Sequence, residues 1–251
     1  MKPILSFILT MLFLNFWNVN AQATKVQKSN SIKFADTTKT GKIFKKSIIP
    51  ISLIGLGVFA NHSSFEKKLQ IDIRKKVGDT YNFPIDDFLQ FVPVAEMYLA
   101  DIYGIKAKNH WFDQTKYLFI SNLISSAITH SLKRITNKTR PNGSPHSFPS
   151  GHTTLAFTNA AVLYNEFEDS SPVLAYSGYA FATTTGVFRM LNNKHWLSDV
   201  LVGAGVGILA TKLVYYLEPL KNFNPFKKIK GMSVVPLIDD KNYGVYAQLT
   251  F

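Results

Sequence analysis

The segment from Thr153 to Met190 constrains the fold more than any other. Residues 153–168 and 173–190 are two apolar stretches of helical length, and Glu168-Asp-Ser-Ser-Pro172 breaks the chain between them. Helices of similar length joined by so short a turn run antiparallel. Whatever precedes the first helix therefore returns beside whatever follows the second. Upstream stands Pro149-Ser-Gly-His152; downstream stands Arg189-Met-Leu-Asn-Asn-Lys-His195-Trp-Leu-Ser-Asp199. An earlier stretch, 116–133, ends on Lys133-Arg-Ile-Thr-Asn-Lys-Thr-Arg140-Pro141, and a later one, 197–217, begins just after His195. Three polar clusters thus meet at one end of a bundle.

Two more helical stretches precede these. Phe65, Leu69, Ile73 and Val77 recur at helical spacing among Lys67, Lys68, Arg74, Lys75 and Lys76, a basic amphipathic pattern that suits a membrane surface or a solvated helix packed on the core. Residues 86–104 form the other. The expected fold is all-α, a membrane-associated helical bundle of about six helices over 47–220. Residues 232–238 and 243–251 flank Asp239-Asp-Lys-Asn242 and predict a small β-hairpin in a tail spanning 221–251. Gly203-Ala-Gly-Val-Gly207 predicts close helix packing through small residues, since no strand precedes it to make a nucleotide loop.

The N-terminus bears on location. Met1-Lys2, an apolar run to Trp17 and small residues around Ala21 and Ala23 read as a secretory signal peptide over 1–21, with an uncleaved anchor as the alternative. Residues 22–46 are lysine-rich and are expected to be a flexible basic segment. The chain has 28 Lys and Arg against 16 Asp and Glu, a net charge of +12, which favours anionic partners. It has no cysteine, so disulfides, thiol catalysis and Cys-based metal sites are excluded. Mean hydropathy is +0.04, high for a soluble enzyme and low for a fully lipid-embedded transporter. If the signal is cleaved, three spans (48–60, 86–104, 116–133) would place the clusters in the cytoplasm. Ile48–Ala60 is short, and 86–104 carries Asp86, Asp87, Glu96 and Asp101, so at least one of the two is expected not to cross.

The residue types in the clusters suit phosphoryl chemistry. Lys133, Arg140 and Arg189 are cationic donors, and arginine matches phosphate oxygens in bidentate fashion. N–H groups around Ser150 and Gly151 open a helix, where the macrodipole favours an anion. His195 and Asp199 are four apart and share a helix face, so the carboxylate can hold one ring nitrogen and leave the other as base or nucleophile. His152 is the natural general acid for a departing alkoxide. Two histidines and an aspartate are also metal-ligand types, but the neighbouring cations oppose a metal ion. Lys133–Arg140 reads more readily as a basic loop beside a membrane than as a nucleic-acid patch. Arg134, Lys138 and Lys194 are expected to be solvated charges, and His62, His110, His130 and His146 to be structural or surface residues.

Lys-x6-Arg-Pro, Pro-Ser-Gly-His and Arg-x5-His-x3-Asp, in this order, resemble the tripartite signature of the type 2 phosphatidic acid phosphatase and vanadium haloperoxidase superfamily. Phe188 stands where the signature usually has a serine before the third-motif arginine. The seven-residue gap between Arg140-Pro141 and Pro149 is similar to that of membrane-type members. PNGSPHSFPSGHTTLAF and FRMLNNKHWLSDVLVGAGVGIL also look similar to envelope lipid phosphatases, including lipid A phosphatases. The resemblance implies that His195 attacks phosphorus to form a phosphohistidine, with Asp199 orienting it and His152 protonating the leaving group. Lys133, Arg140, Ser150, Gly151 and Arg189 would bind phosphate oxygens, with no metal and no cofactor. The expected substrate is an anionic lipid phosphate (lipid A, undecaprenyl diphosphate or phosphatidate class) met at a bacterial envelope membrane, on its periplasmic side, with no nucleic-acid partner. A soluble periplasmic acid phosphatase and a non-catalytic lipid-binding protein are the alternatives.

Overall fold

The structure, a computed structural model, describes the backbone of residues 37–216, 232–239 and 242–249, and side chains over 47–216. The expected signal peptide, 1–21, lies outside the described residues. In chain order the helices are α1 (Thr37–Ala60), α2 (Ser64–Val77), α3 (Asp86–Leu89), α4 (Val92–Ile102), α5 (Trp111–Thr136), α6 (Gly151–Phe167), α7 (Pro172–Leu191) and α8 (Leu197–Tyr216). The described residues up to Tyr215 form one compact unit, and those from Tyr216 onward another. The first is all-α in its described part. In the second, Met232–Asp239 (β1) and Asn242–Leu249 (β2) pair antiparallel, with Met232 opposite Leu249 and Asp239 opposite Asn242.

Two boundaries differ from expectation. The stretch 86–104 is two helices, because Pro93 lacks the N–H a continuing helix needs and instead sits in the first turn of α4. Helix α1 starts at Thr37 and so takes in the last part of the segment expected to be flexible.

Helices α6 and α7 form the expected antiparallel hairpin. A Cβ on Gly186 would reach Thr153, one on Gly178 would reach Ala160 and Leu163, and Tyr164 stacks edge-on against Tyr176, so residue numbers fall on one helix as they rise on the other. Ala156, Ala160 and Ala182 are fully buried between them. Small side chains let the two backbones approach closely. Helix α5 meets α6 through hydrogen-bonded polar pairs, Thr129–Thr154 at 3.1 Å, Ser125–Thr158 at 3.0 Å and Asn122–Asn159 at 2.9 Å. The Asn122 amide nitrogen also donates to the Leu118 carbonyl at 3.0 Å, so the donors at this contact are paired. Helix α8 runs parallel to α6, with the glycines of the Gly203–Gly207 run on its contact faces. A Cβ at Gly203 would lie 2.8 Å from the Ser150 carbonyl oxygen, and one at Gly207 would lie 2.6 Å from that of Thr154. The middle glycine, Gly205, faces α1 instead, where a Cβ would lie 2.7 Å from the Pro50 carbonyl oxygen.

Among the described residues, α8 is the single helix long and apolar enough to cross a membrane by itself, and 67% of its apolar window is buried in the bundle. Residues 47–60 and α2 pass the same test only together, and an 88° bend separates them. The stretch 86–104 does not pass.

Candidate active site

Each cluster is delivered by a helix end. Asn137, in the left-handed region at φ 42°, ends α5, and its N–H bonds the Lys133 carbonyl. Asn193, at φ 58°, follows the end of α7, and the N–H groups of Lys194 and His195 both return to the Arg189 carbonyl. Asparagine tolerates this conformation better than most residues. Ser150 caps α6, its Oγ accepting from the Thr153 N–H at 3.4 Å and the Thr153 hydroxyl at 2.8 Å. Asp199, in the first turn of α8, accepts the Trp196 N–H at 2.9 Å, one half of a capping box.

These ends enclose a cavity of about 440 Å³. Lys133, Arg140, Gly151, His152, Arg189 and His195 line it, together with Gln90 and His130 among others. Asp199 lies behind His195, fully buried, with its Oδ2 at 3.3 Å from the His195 Nδ1. The same oxygen accepts the Ser147 hydroxyl. Donation from Nδ1 leaves the His195 Nε2 lone pair free. Burial, opposed by the hydrogen bond and charge of Asp199, pushes the His195 pKa down to about 4, so the ring is neutral near pH 7.

The cations are partly unsatisfied. The Nε atoms of Arg140 and Arg189 are buried without an acceptor among the described residues. Arg189 does bond the Asp86 carboxylate through Nη1 at 2.6 Å. Lys133 Nζ bonds the carbonyls of His146 and Ser147 at 2.8 and 3.2 Å. Three cationic side chains, Lys133, Arg140 and Arg189, stand on one cavity wall, an arrangement that suits an anion.

Several residues behave differently from the sequence expectation. The Ser150 N–H is taken by the Asp199 carbonyl at 2.9 Å, and the Ser150 side chain serves the helix cap. Ser150 therefore has no backbone donor left for an anion, and the open N–H groups of the α6 end are those of Gly151 and His152. Lys138 is not a solvated charge. It is 5% exposed, with Nζ at 2.8 Å from Glu66 Oε1, 2.8 Å from Ser198 Oγ and 3.2 Å from Asp199 Oδ1. The loop that leaves Asn137 turns it inward, where its charge is matched. His130, expected to be structural or surface, is exposed and also borders the cavity. Arg134 is exposed and Lys194 half-buried.

Sequence reasoning missed two acidic residues. Asp86 is buried and bonds Arg189 and, at 2.8 Å, Asn192. Asp87 approaches the His152 Nε2 to 2.9 Å. Their adjacency to a helix start was readable, but their long-range partners were not. Burial and the nearby Arg189 lower the His152 pKa from its ordinary value, while Asp87 and Asp86 pull it back up. Among the described residues, no three His, Cys, Asp or Glu side chains cluster as a metal would require.

Comparison with known proteins gives the chain relatives in sequence and in fold. A lipid A 1-phosphatase of Porphyromonas gingivalis is 32% identical over 194 residues, covering 72% of this chain. The chain spans only 43% of that relative's length. Two crystal structures are similar. One is a transmembrane PAP2-type phosphatidylglycerolphosphate phosphatase of Bacillus subtilis (TM-score 0.50, 19% identity, 71% of this chain and 99% of that one). The other is Aquifex aeolicus LpxE (TM-score 0.44, 21% identity, 59% of this chain and 95% of that one). The Bacillus structure speaks for a shared fold alone. The sequence model of the PAP2 superfamily matches residues 114–223, which carry every one of the three polar clusters. Through that region, the chain belongs to the PAP2 superfamily.

Proposed function

We propose that the chain is a metal-independent phosphatase that removes phosphate from an anionic envelope lipid through a phosphohistidine on His195. The observation that carries this reading is one cavity lined by Lys133, Arg140 and Arg189 together with a neutral histidine whose Nδ1 is held by a carboxylate. In the first step the His195 Nε2 lone pair attacks phosphorus, and the bond from phosphorus to the leaving oxygen breaks. His152 gives its proton to that oxygen. Water then attacks phosphorus while His152 takes its proton, the bond from phosphorus to the His195 Nε2 breaks, and inorganic phosphate leaves. Lys133, Arg140, Arg189 and the Gly151 and His152 N–H groups hold the charge that grows on the equatorial oxygens.

The lipid substrate has its own support. The Porphyromonas relative is a lipid A 1-phosphatase, which favours lipid A among the candidate lipids. Large apolar side chains stand exposed on the bundle, among them Phe59 at 87%, Tyr103 at 81% and Ile102 at 77%, more than a water-facing surface commonly carries. An apolar groove of about 300 Å³ is lined by Ile54, Leu132, Val202 and Leu209, and by Phe148, the neighbour of the Asp199 partner Ser147. Hydrocarbon chains fit such walls. The basic amphipathic α2 suits an anionic lipid surface, and the site is proposed to face the periplasm.

The decisive assay measures phosphate release by the purified chain, with EDTA, from lipid A, undecaprenyl diphosphate, phosphatidic acid and phosphatidylglycerophosphate. Release from lipid A with EDTA present is expected. Release that EDTA abolishes would replace this mechanism with a metal-assisted one.

The pH profile follows from the two histidines. Catalysis by the free enzyme needs neutral His195 and protonated His152. kcat/KM should therefore fall below about pH 4, as His195 gains its proton. It should also fall as pH rises through the His152 pKa, which lies below the ordinary 6.5. The optimum is acidic. Asp87→Asn removes a charge that raises the His152 pKa, so the alkaline limb should move to lower pH. An unmoved limb, measured with a soluble phosphomonoester, would exclude His152 as the acid.

A further inference from the structure

We propose that Glu66 and Lys138 are a positioning pair for the nucleophilic histidine, acting through the far oxygen of Asp199. The inference rests on the phosphohistidine reading above and adds two residues to its machinery.

The geometry divides Asp199 in two. Its Oδ2 faces the chemistry, taking His195 Nδ1, the Trp196 N–H and the Ser147 hydroxyl. Its Oδ1 faces Lys138, with the Ser198 hydroxyl at 3.5 Å. A carboxylate pinned at one oxygen can still swing, whereas one pinned at both presents a fixed acceptor. Lys138 supplies the second pin. It does not line the cavity, and its ammonium sits 5.5 Å from the Trp196 ring centre and 5.8 Å from that of Phe148. Lys138 thus reaches the reacting atoms only through Asp199.

Lys138 also separates two buried carboxylates. Glu66 is 2% exposed, and its Oε1 accepts from Lys138 at 2.8 Å and from the His62 N–H at 2.9 Å. Its Oε2 accepts the Ser198 N–H, at the start of α8, at 3.2 Å. Glu66, Lys138 and Asp199 together carry one negative charge beside a neutral His195. Without the ammonium, two buried carboxylates lose the cation that stands between them, and each then disfavours the charge of the other. A proton taken up by Asp199 turns an acceptor into a donor toward Nδ1, so the His195 tautomer is lost.

The pair also joins distant parts of the chain. Glu66 belongs to α2, whose Gln70 amide bonds the Met190 carbonyl at 3.0 Å and Asn193 Oδ1 at 2.8 Å. The same helix therefore braces the loop that carries His195 and the start of the helix that carries Asp199.

Lys138→Met tests this, because methionine keeps most of the volume and removes the charge. Phosphate release should fall about 100-fold or more in kcat with KM little changed, the loss expected when an orienting group fails. Adding Glu66→Gln removes the competing carboxylate and should restore at least about tenfold of that loss, a coupling only interacting residues show. Ring ¹⁵N shifts of His195 give a readout independent of turnover. The wild-type ring should hold its proton on Nδ1, Lys138→Met should mix the tautomers, and the double variant should return toward wild type. A merely structural lysine predicts a double variant no better than the single one, and that result overturns the proposal. So does an unchanged ring in Lys138→Met. If Lys138→Met does not fold alone, Glu66→Gln must restore folding as well, and failure to do so counts equally against the pair. A wild type that releases no phosphate but shows the expected ring shifts defeats the functional reading and leaves the pairing standing.

Discussion

Asp199→Asn is expected to lower kcat by about three to four orders of magnitude, close to the loss from removing the His195 ring itself. The reason lies in what surrounds the carboxylate. Every partner of Asp199 is a donor: Lys138 and Ser198 at Oδ1, and His195, Trp196 and Ser147 at Oδ2. An asparagine keeps one acceptor oxygen and turns the other position into an NH2 donor. Placed toward His195, the NH2 would face the Nδ1 proton and force it onto Nε2, the atom proposed to attack. Placed toward Lys138, it would press against an ammonium. His195→Ala should abolish turnover without closing the cavity, so binding of a phosphate analogue should persist. Single-turnover rates together with analogue titration separate the two variants. A D199N enzyme within tenfold of wild type would remove Asp199 from the orienting role.

Gly203→Ala is expected to destabilise the bundle by about 1–3 kcal/mol and to reduce kcat by about 10- to 100-fold. The added Cβ would lie 2.8 Å from the Ser150 carbonyl oxygen and 3.2 Å from Thr154 Oγ1. A backbone carbonyl at a capped helix end cannot yield as a flexible side chain can. Helix α8 must therefore back away from α6 at the level of the site. The Asp199 carbonyl, one turn earlier, then loses its bond to the Ser150 N–H. Gly55→Ala is the matched control, since a Cβ there meets nothing within 4 Å and alanine is the better helix former. Chemical denaturation of both variants, read beside their turnover, tests the claim. Equal stability of the two would mean that α8 does not pack on α6 as closely as described.

The convergence of the site was legible because it follows from local rules. Apolar periodicity and the Ser171-Pro172 break define α6 and α7, and their matched lengths return Arg189 and His195 to the level of His152. The four-residue spacing of His195 and Asp199 was enough to put them on one face. Glycines at 203 and 207 announced a close helix contact, which is found against α6. The break inside 86–104 was missed because apolar content ran through it, although Pro93 marked the spot. Ser150 was read as a phosphate donor because Pro-Ser-Gly-His opens a helix; its N–H is instead used by a helix that begins 47 residues later, at Leu197.

The sequence by itself determined which polar groups gather and which end of the bundle they share. Both depend on contacts within a helix or across one tight turn, where spacing alone sets geometry. Tertiary structure alone decided how those groups are held. Glu66 reaches Lys138 across 72 residues, Lys138 reaches Asp199 across 61, and Asp86 reaches Arg189 across 103. Each is a charged side chain that exposure would favour unless a partner of opposite sign waits inside. No local pattern announces that partner, because it exists only once the helices have packed.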